Sequence, residues 1–187
     1  MAITKLDQMF EVLKSKSKKR LVAAYANDSH TIEAVSEAVD KGIVEGTLVG
    51  DKETMLQVCG QLNINPEKFR LVHEPNEGKA AAVAVKLIND GEGELLMKGL
   101  VSTDKYMKAI LNKENGLMDP GAILSHVTVI ENPNYEKLMI VGDVAIIPLP
   151  EFKQKVAILN YLVNTAKALG IEKPKVAVIS ASEQVLP

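Results

Sequence analysis

The feature that most restricts the fold is an alternation of short apolar runs with amphipathic segments, sustained from Leu6 to Leu111. Leu6, Met9, Phe10 and Leu13 stand at i, i+3, i+4 and i+7, the stripe of a helix that buries one face. Leu21 to Ala26 is a short apolar run. Asp28 and Ser29 then offer N-caps to a helix ending near Lys41, with Gly42 where a left-handed residue is wanted after the C-cap. Thr47-Leu48-Val49 reads as a compact strand, and Gly50-Asp51 turns into a helix reaching about Leu62. Asn65-Pro66 breaks the chain before a strand at Arg70–His73. Pro75-Asn76 starts an alanine-rich helix from about Gly78 to Ile88. Glu94–Lys98 is the fourth strand, and Thr103–Leu111 the helix after it. Such a succession predicts an α/β fold with a mostly parallel, helix-covered sheet.

The pattern changes near Gly121. Ile123–Glu131 and Lys137–Val141 read as two strands joined by the turn-rich Asn132-Pro133-Asn134-Tyr135-Glu136, which suits an antiparallel hairpin. A long helix follows from about Glu151 to Leu169, ended by Gly170 and Pro174. Val176–Ser180 reads as a buried strand, and Pro187 follows seven residues later. A parallel strand there would need a covering helix. The reading is therefore a first α/β domain over 1–135 and the beginning of a second, incomplete one over 136–187.

Composition narrows the function classes. Hydrophobic residues make up 47% of the 187, enough for a core without cross-links. A net charge of -2 makes no electrostatic case for nucleic acid, and the basic run Lys14–Arg20 reads as a helix end and a polar turn. Cys59 alone excludes a disulfide framework and a multi-cysteine metal site, and suits a reducing cytoplasm. The N-terminus has no signal-peptide pattern and no window approaches a membrane span, so a cytoplasmic protein without membrane contact is expected.

Most motif tests are negative. Gly91-Glu92-Gly93 opens like a dinucleotide fingerprint, but Leu96 holds the third glycine position and the glycines precede a strand instead of following one. There is no P-loop, and His30, His73 and His126 lack the spacing of a zinc enzyme, so no metal site is expected. Ser125 and His126, as neighbours on a strand, would point to opposite faces and form no dyad. Cys59 falls inside a helical pattern, as a small core residue does.

The best local candidate is Lys98-Gly99-Leu100-Val101-Ser102-Thr103-Asp104, which leaves the C-terminal end of a strand and enters a helix. Ligands bind at that edge of open α/β sheets. Backbone amides, two hydroxyls and a lysine there suit a phosphate. The alternative reading is that Ser102 or Thr103 caps the helix and Gly99 relaxes a turn; the residues alone weigh the two evenly. Gly142-Asp143 is a second candidate, with Asp143 orienting a substrate or, as turn statistics favour, forming a turn.

These residues also carry a resemblance. Met97-Lys98-Gly99 with Thr103, Leu111, Glu114, Asn115-Gly116-Leu117, Leu124-Ser125-His126-Val127, Asp143, Pro148, Lys155, Asn160, Ala168-Leu169-Gly170-Ile171 and Pro174–Val178 resemble the phosphate acyltransferases. Met-Lys-Gly and Leu-Ser-His-Val look more like the phosphate butyryltransferase branch than the acetyltransferase branch. The resemblance implies a three-layer α/β/α sandwich of the isocitrate and isopropylmalate dehydrogenase type. It also implies a homodimer and reversible transfer of an acyl group between coenzyme A and inorganic phosphate, with acyl-CoA and phosphate as substrates and no cofactor or metal. By position, Lys98, Gly99, Ser102 and Thr103 would contact phosphate, Ser125 and His126 would line the cleft, and Asp143 would make a polar contact near the acyl end. No residue is assigned as catalytic. Relatives commonly have an arginine where Met118 stands, and Thr-Asp-Ala where this chain has Gly142-Asp143-Val144. They also continue for roughly another hundred residues that supply most of the coenzyme A site. The expectation is thus a C-terminally truncated acyltransferase, itself inactive. The alternative is a non-catalytic module that dimerises or binds a small anion.

Overall fold

Residues 2–180 are described by a computed structural model of the chain. They form two compact units, residues 10–122 and residues 2–9 with 123–180. The division falls at 122/123 and not at 135/136, because the hairpin of the second unit pairs strands from either side of the latter point.

The first unit holds α1 (Asp7–Lys14, entering it at Phe10), β1 (Lys19–Ala24), α2 (Ser29–Asp40), β2 (Val44–Gly50), α3 (Lys52–Gln61), β3 (Phe69–His73), α4 (Glu77–Asn89), β4 (Leu95–Lys98) and α5 (Thr103–Ile110). A 3-10 turn at Pro66–Lys68 leads into β3. The expected caps are in place. The Asp28, Asp51 and Asn76 side chains accept from the amides of Thr31, Thr54 and Lys79, opening α2, α3 and α4. Gly42 takes φ +71 just beyond α2, the conformation that only glycine adopts freely.

The four strands are parallel in the order β3-β2-β1-β4. Both faces are covered, and the pleat shows it. Val22 and Ala24 of β1 and Val49 of β2 turn to Ala80, Ala81, Ala84 and Leu87 of α4, together with Val101. Ala23 and Leu48 turn the other way, to Ile32 and Val35 of α2 and Met55 and Cys59 of α3. This is a three-layer α/β/α arrangement, with its core split in two by the sheet. Cys59 is fully buried, and burial pushes its thiol pKa up, as expected of a packing residue. At the start of the β1–β4 pair, Glu94 takes the ammonium of Lys19 at 2.6 Å and the amide of Arg20 at 3.2 Å.

The second unit contains β5 (Thr128–Ile130), β6 (Met139–Val141) and α6 (Phe152–Ala168). β5 and β6 pair antiparallel, Thr128 with Val141, Val129 with Ile140 and Ile130 with Met139, so the predicted hairpin is present. Its strands are shorter than read from sequence. β5 and β6 each span three residues, and 123–127 lie outside their ladder. α6 carries the capping box of Glu151 and Gln154.

The strand read at Val176–Ser180 is a correction. Residues 174–180 form no strand, and Val178 and Ile179 are 80% and 90% exposed. An apolar run states which side chains prefer burial, but a strand also needs a pairing partner, and no described strand runs beside this one. The part of the incomplete second-domain reading from residue 181 on lies outside the described residues.

Candidate active site

In the first unit, the chain steps from β1 to β2 to β3 in one direction, while β4 lies on the other side of β1. The reversal between β1 and β4 is a topological switch point, the place at the C-terminal ends of the strands where open α/β sheets bind their ligands. Ala24 and Lys98 are register partners at that edge. The Gly99 amide donates to the Ala24 carbonyl and the Leu100 amide to the Tyr25 carbonyl, each at 3.0 Å. A Cβ on Gly99 would lie 2.6 Å from the Tyr25 oxygen and 2.7 Å from the Ala24 oxygen, so the two loops approach this closely only because residue 99 is glycine. Tyr25 itself takes φ +59, rare for a side chain of its size.

Beyond Gly99, Val101 is fully buried in the core, while Lys98, Ser102 and Thr103 are exposed. A buried anchor between exposed polar residues fixes the loop and presents those residues at the sheet edge. Ser102 is the N-cap of α5 but makes no side-chain capping bond. Its amide donates instead to Glu77 Oε1 at 2.6 Å, and Glu77 Oε2 takes the ammonium of Lys105. Glu77 is the first residue of α4, so one carboxylate serves the N-terminal ends of two helices. The bond from Lys105, then that from the Ser102 amide, pulls its pKa down from 4.5 to about 2.

In the second unit, Ser125, His126 and Asp143 meet. Asp143 Oδ2 accepts from Ser125 Oγ at 2.8 Å and from the His126 amide at 3.1 Å. Oδ1 accepts from the amides of Ala145 and Ile146, both at 2.8 Å. Burial raises the Asp143 pKa, but these four bonds outweigh it and hold the carboxyl well below the usual range. Ser125 and His126 make no dyad, as expected, though for a different reason. They lie outside the β5 ladder, and the His126 ring pairs through Nδ1 with Thr128 Oγ1 at 3.1 Å.

The seven residues singled out in the sequence therefore fall into two groups. Lys98, Gly99, Ser102 and Thr103 lie at the switch point of the first unit, and Ser125, His126 and Asp143 share one hydrogen-bonded cluster in the second. Glu77, Lys105 and Tyr25 were missed. An acidic first-turn residue is ordinary, and the 28 positions from Glu77 to Lys105 match no linear pattern. The signal for Tyr25 was its place at the end of the β1 run. Among the described residues, no group of three or more histidine, cysteine or acidic side chains is arranged to hold a metal ion.

Residues 67–186 match the family described as "Phosphate acetyl/butaryl transferase". The chain belongs to this family. Within the phosphate acetyl/butaryl transferase family it is similar to the phosphate butyryltransferase of Clostridium acetobutylicum, 39% identical over 185 residues, which cover 99% of this chain and 61% of that protein. The phosphate acetyltransferase of Thermotoga maritima is 35% identical over 182 residues, covering 97% of this chain and 61% of that one. The crystal structure of a phosphotransacetylase from Streptococcus pyogenes superposes with a TM-score of 0.77 at 18% identity, over 98% of this chain and 65% of that one, and supports the fold. The chain thus spans about three fifths of the length of these two curated phosphate acetyl/butaryl transferases.

Proposed function

We propose that this chain carries the phosphate-binding edge of an enzyme that moves a short acyl group, butyryl or acetyl, between coenzyme A and inorganic phosphate. The observation that supports the reading is the match to the phosphate acetyl/butaryl transferases, together with the place of Lys98–Thr103 at the switch point of the sheet. In the reaction a phosphate oxygen attacks the thioester carbonyl, a tetrahedral oxyanion forms, and the C–S bond breaks to release the CoA thiolate; the reverse step is thiolate attack on the acyl phosphate. The exchange is redox-neutral and calls for no resident cofactor or metal. It requires a cation and hydrogen-bond donors for the phosphate and for the oxyanion. Lys98, Gly99, Ser102 and Thr103 would contact the phosphate. Ser125, His126 and Asp143 would belong to the acyl-CoA side, with Asp143 holding the other two in place. The lone buried thiol suits a cytoplasmic enzyme, and the family resemblance implies that it works as a homodimer.

The test is phosphate-dependent release of thiol from butyryl-CoA and acetyl-CoA. It is run on this chain and on the chain joined to the part of the Clostridium acetobutylicum relative outside its match. Turnover by the joined protein is expected, and turnover by neither overturns the reading. Phosphate binding without turnover in both would point to an anion-binding module. Ser102→Ala with Thr103→Val should raise the KM for phosphate in the active form, and an unchanged KM would reduce these residues to helix-capping positions.

A further inference from the structure

Three backbone amides pin the Lys98–Thr103 loop. Those of Gly99 and Leu100 go to the carbonyls of Ala24 and Tyr25, while that of Ser102 goes to a side chain, Glu77 Oε1, at 2.6 Å. The other carboxylate oxygen takes Lys105, in the first turn of the helix that the loop feeds. Glu77 is itself held firmly. Asn76 caps α4 through the Lys79 amide at 3.0 Å, and Ala80, Ala81 and Ala84 seat that helix against the sheet with no exposure. A fixed helix thus offers a carboxylate, and the candidate loop hangs on it.

We infer that Glu77 is a positioning residue for the anion site: by tying Ser102 and Lys105 to α4, it keeps the Lys98–Thr103 loop in the arrangement that receives inorganic phosphate. The inference rests on the proposed function and deepens it. Two physical points support it. A loop already in its bound shape loses little freedom when the ligand arrives, and that saving appears as affinity. The Glu77 charge is met by Lys105, so it repels a neighbouring anion less than a bare carboxylate would.

The test compares the wild-type chain with Glu77→Ala and Glu77→Gln. The rise of the melting midpoint with inorganic phosphate is followed at constant ionic strength, beside the KM values of the joined enzyme for phosphate and for acyl-CoA. Glu77→Ala should bind phosphate about tenfold more weakly, with the acyl-CoA KM unchanged, since only the loop loses its pre-set shape. Glu77→Gln keeps an acceptor for the Ser102 amide and should stay within about threefold of wild type. Should Glu77→Ala fail to fold, Glu77→Asp, whose shorter side chain cannot reach Ser102 in the same way, takes its place with the same expected phosphate-selective loss.

Equal phosphate affinity in Glu77→Ala and wild type overturns the inference. So does tighter binding in both variants, which would make Glu77 a competitor of phosphate, and so does an equal rise in both KM values. A wild-type protein with neither phosphate response nor turnover overturns the functional reading and this inference with it. A responsive wild type beside an unaltered Glu77→Ala overturns this inference alone.

Discussion

The carbonyl oxygen of Tyr25 accepts the amide of Leu100 at 3.0 Å and lies 2.6 Å from where a Cβ on Gly99 would stand. One oxygen therefore both fastens the loop after β4 and excludes any side chain at its first position. Gly99→Ala must push against two backbone oxygens, since that of Ala24 is only 2.7 Å away, and Ala24, within a paired strand, cannot yield cheaply. We expect a loss of about 1–3 kcal/mol, the range of overpacking substitutions. Urea unfolding would measure it, and a wild-type midpoint would show that the two loops separate without cost.

Asp143 organises two segments rather than one turn. Asp143→Ala leaves four donors without their acceptor, while Asp143→Asn keeps an acceptor for one side only. Amide exchange at His126, Ala145 and Ile146 should quicken about tenfold in the alanine variant, with the asparagine variant between it and wild type. Unchanged exchange at all three amides would mean that other contacts hold these segments.

Acid should loosen the junction of β1 and β4. The bond from Lys19, then that from the Arg20 amide, lowers the Glu94 pKa from 4.5 to about 2, so folding favours its ionised form. Its contribution is complete above about pH 4.5, declines as the pH falls, and is lost below about 2. Glu94→Gln should therefore be less stable than wild type at pH 7 and converge with it near pH 2. A constant gap between the two urea midpoints across that range would rule out the ion pair as the source.

Cys59 should be inert as a nucleophile. Its burial between α3, α2 and the sheet raises the thiol pKa, so a thiol reagent should react only as fast as the fold opens. Cys59→Ala should cost about 1 kcal/mol, the scale of deleting one buried methyl-sized group, and leave the thiol release proposed for the joined enzyme unaltered. Rapid labelling under native conditions, or lost turnover at normal stability, would contradict this.

How far the sequence could be read follows from what each feature depends on. The caps at Asp28, Asp51 and Asn76 are local chemistry, decided within a few residues, and each was visible as a helix start. The alternation of Val22, Ala23 and Ala24 between two cores follows from the apolar run, because a strand buried on both faces needs no polar side. Lys98–Thr103 was visible because a strand end, a glycine and a helix start adjoin in the chain. Glu77 was hidden because its partners, Ser102 and Lys105, come near only once α4 and α5 pack together. Val176–Ser180 misled because its apolar side chains suggested a strand, and pairing is not a property of a single segment.

The strand order also bears on the route by which the chain assembles. β1, β2 and β3 pair as successive neighbours, whereas β4 must return to β1 across the whole of them, as the bond from Lys19 to Glu94, 75 positions apart, records. Long closures cost more entropy and gain their contacts later. We therefore expect β4 to dock last, with amide protection in pulsed exchange appearing in β1–β3 before Leu95–Leu100. Earlier protection of β4 would reverse that order. On this route the switch-point loop has no shape of its own until the sheet is finished, so the phosphate binding proposed for it would arise only once folding is complete.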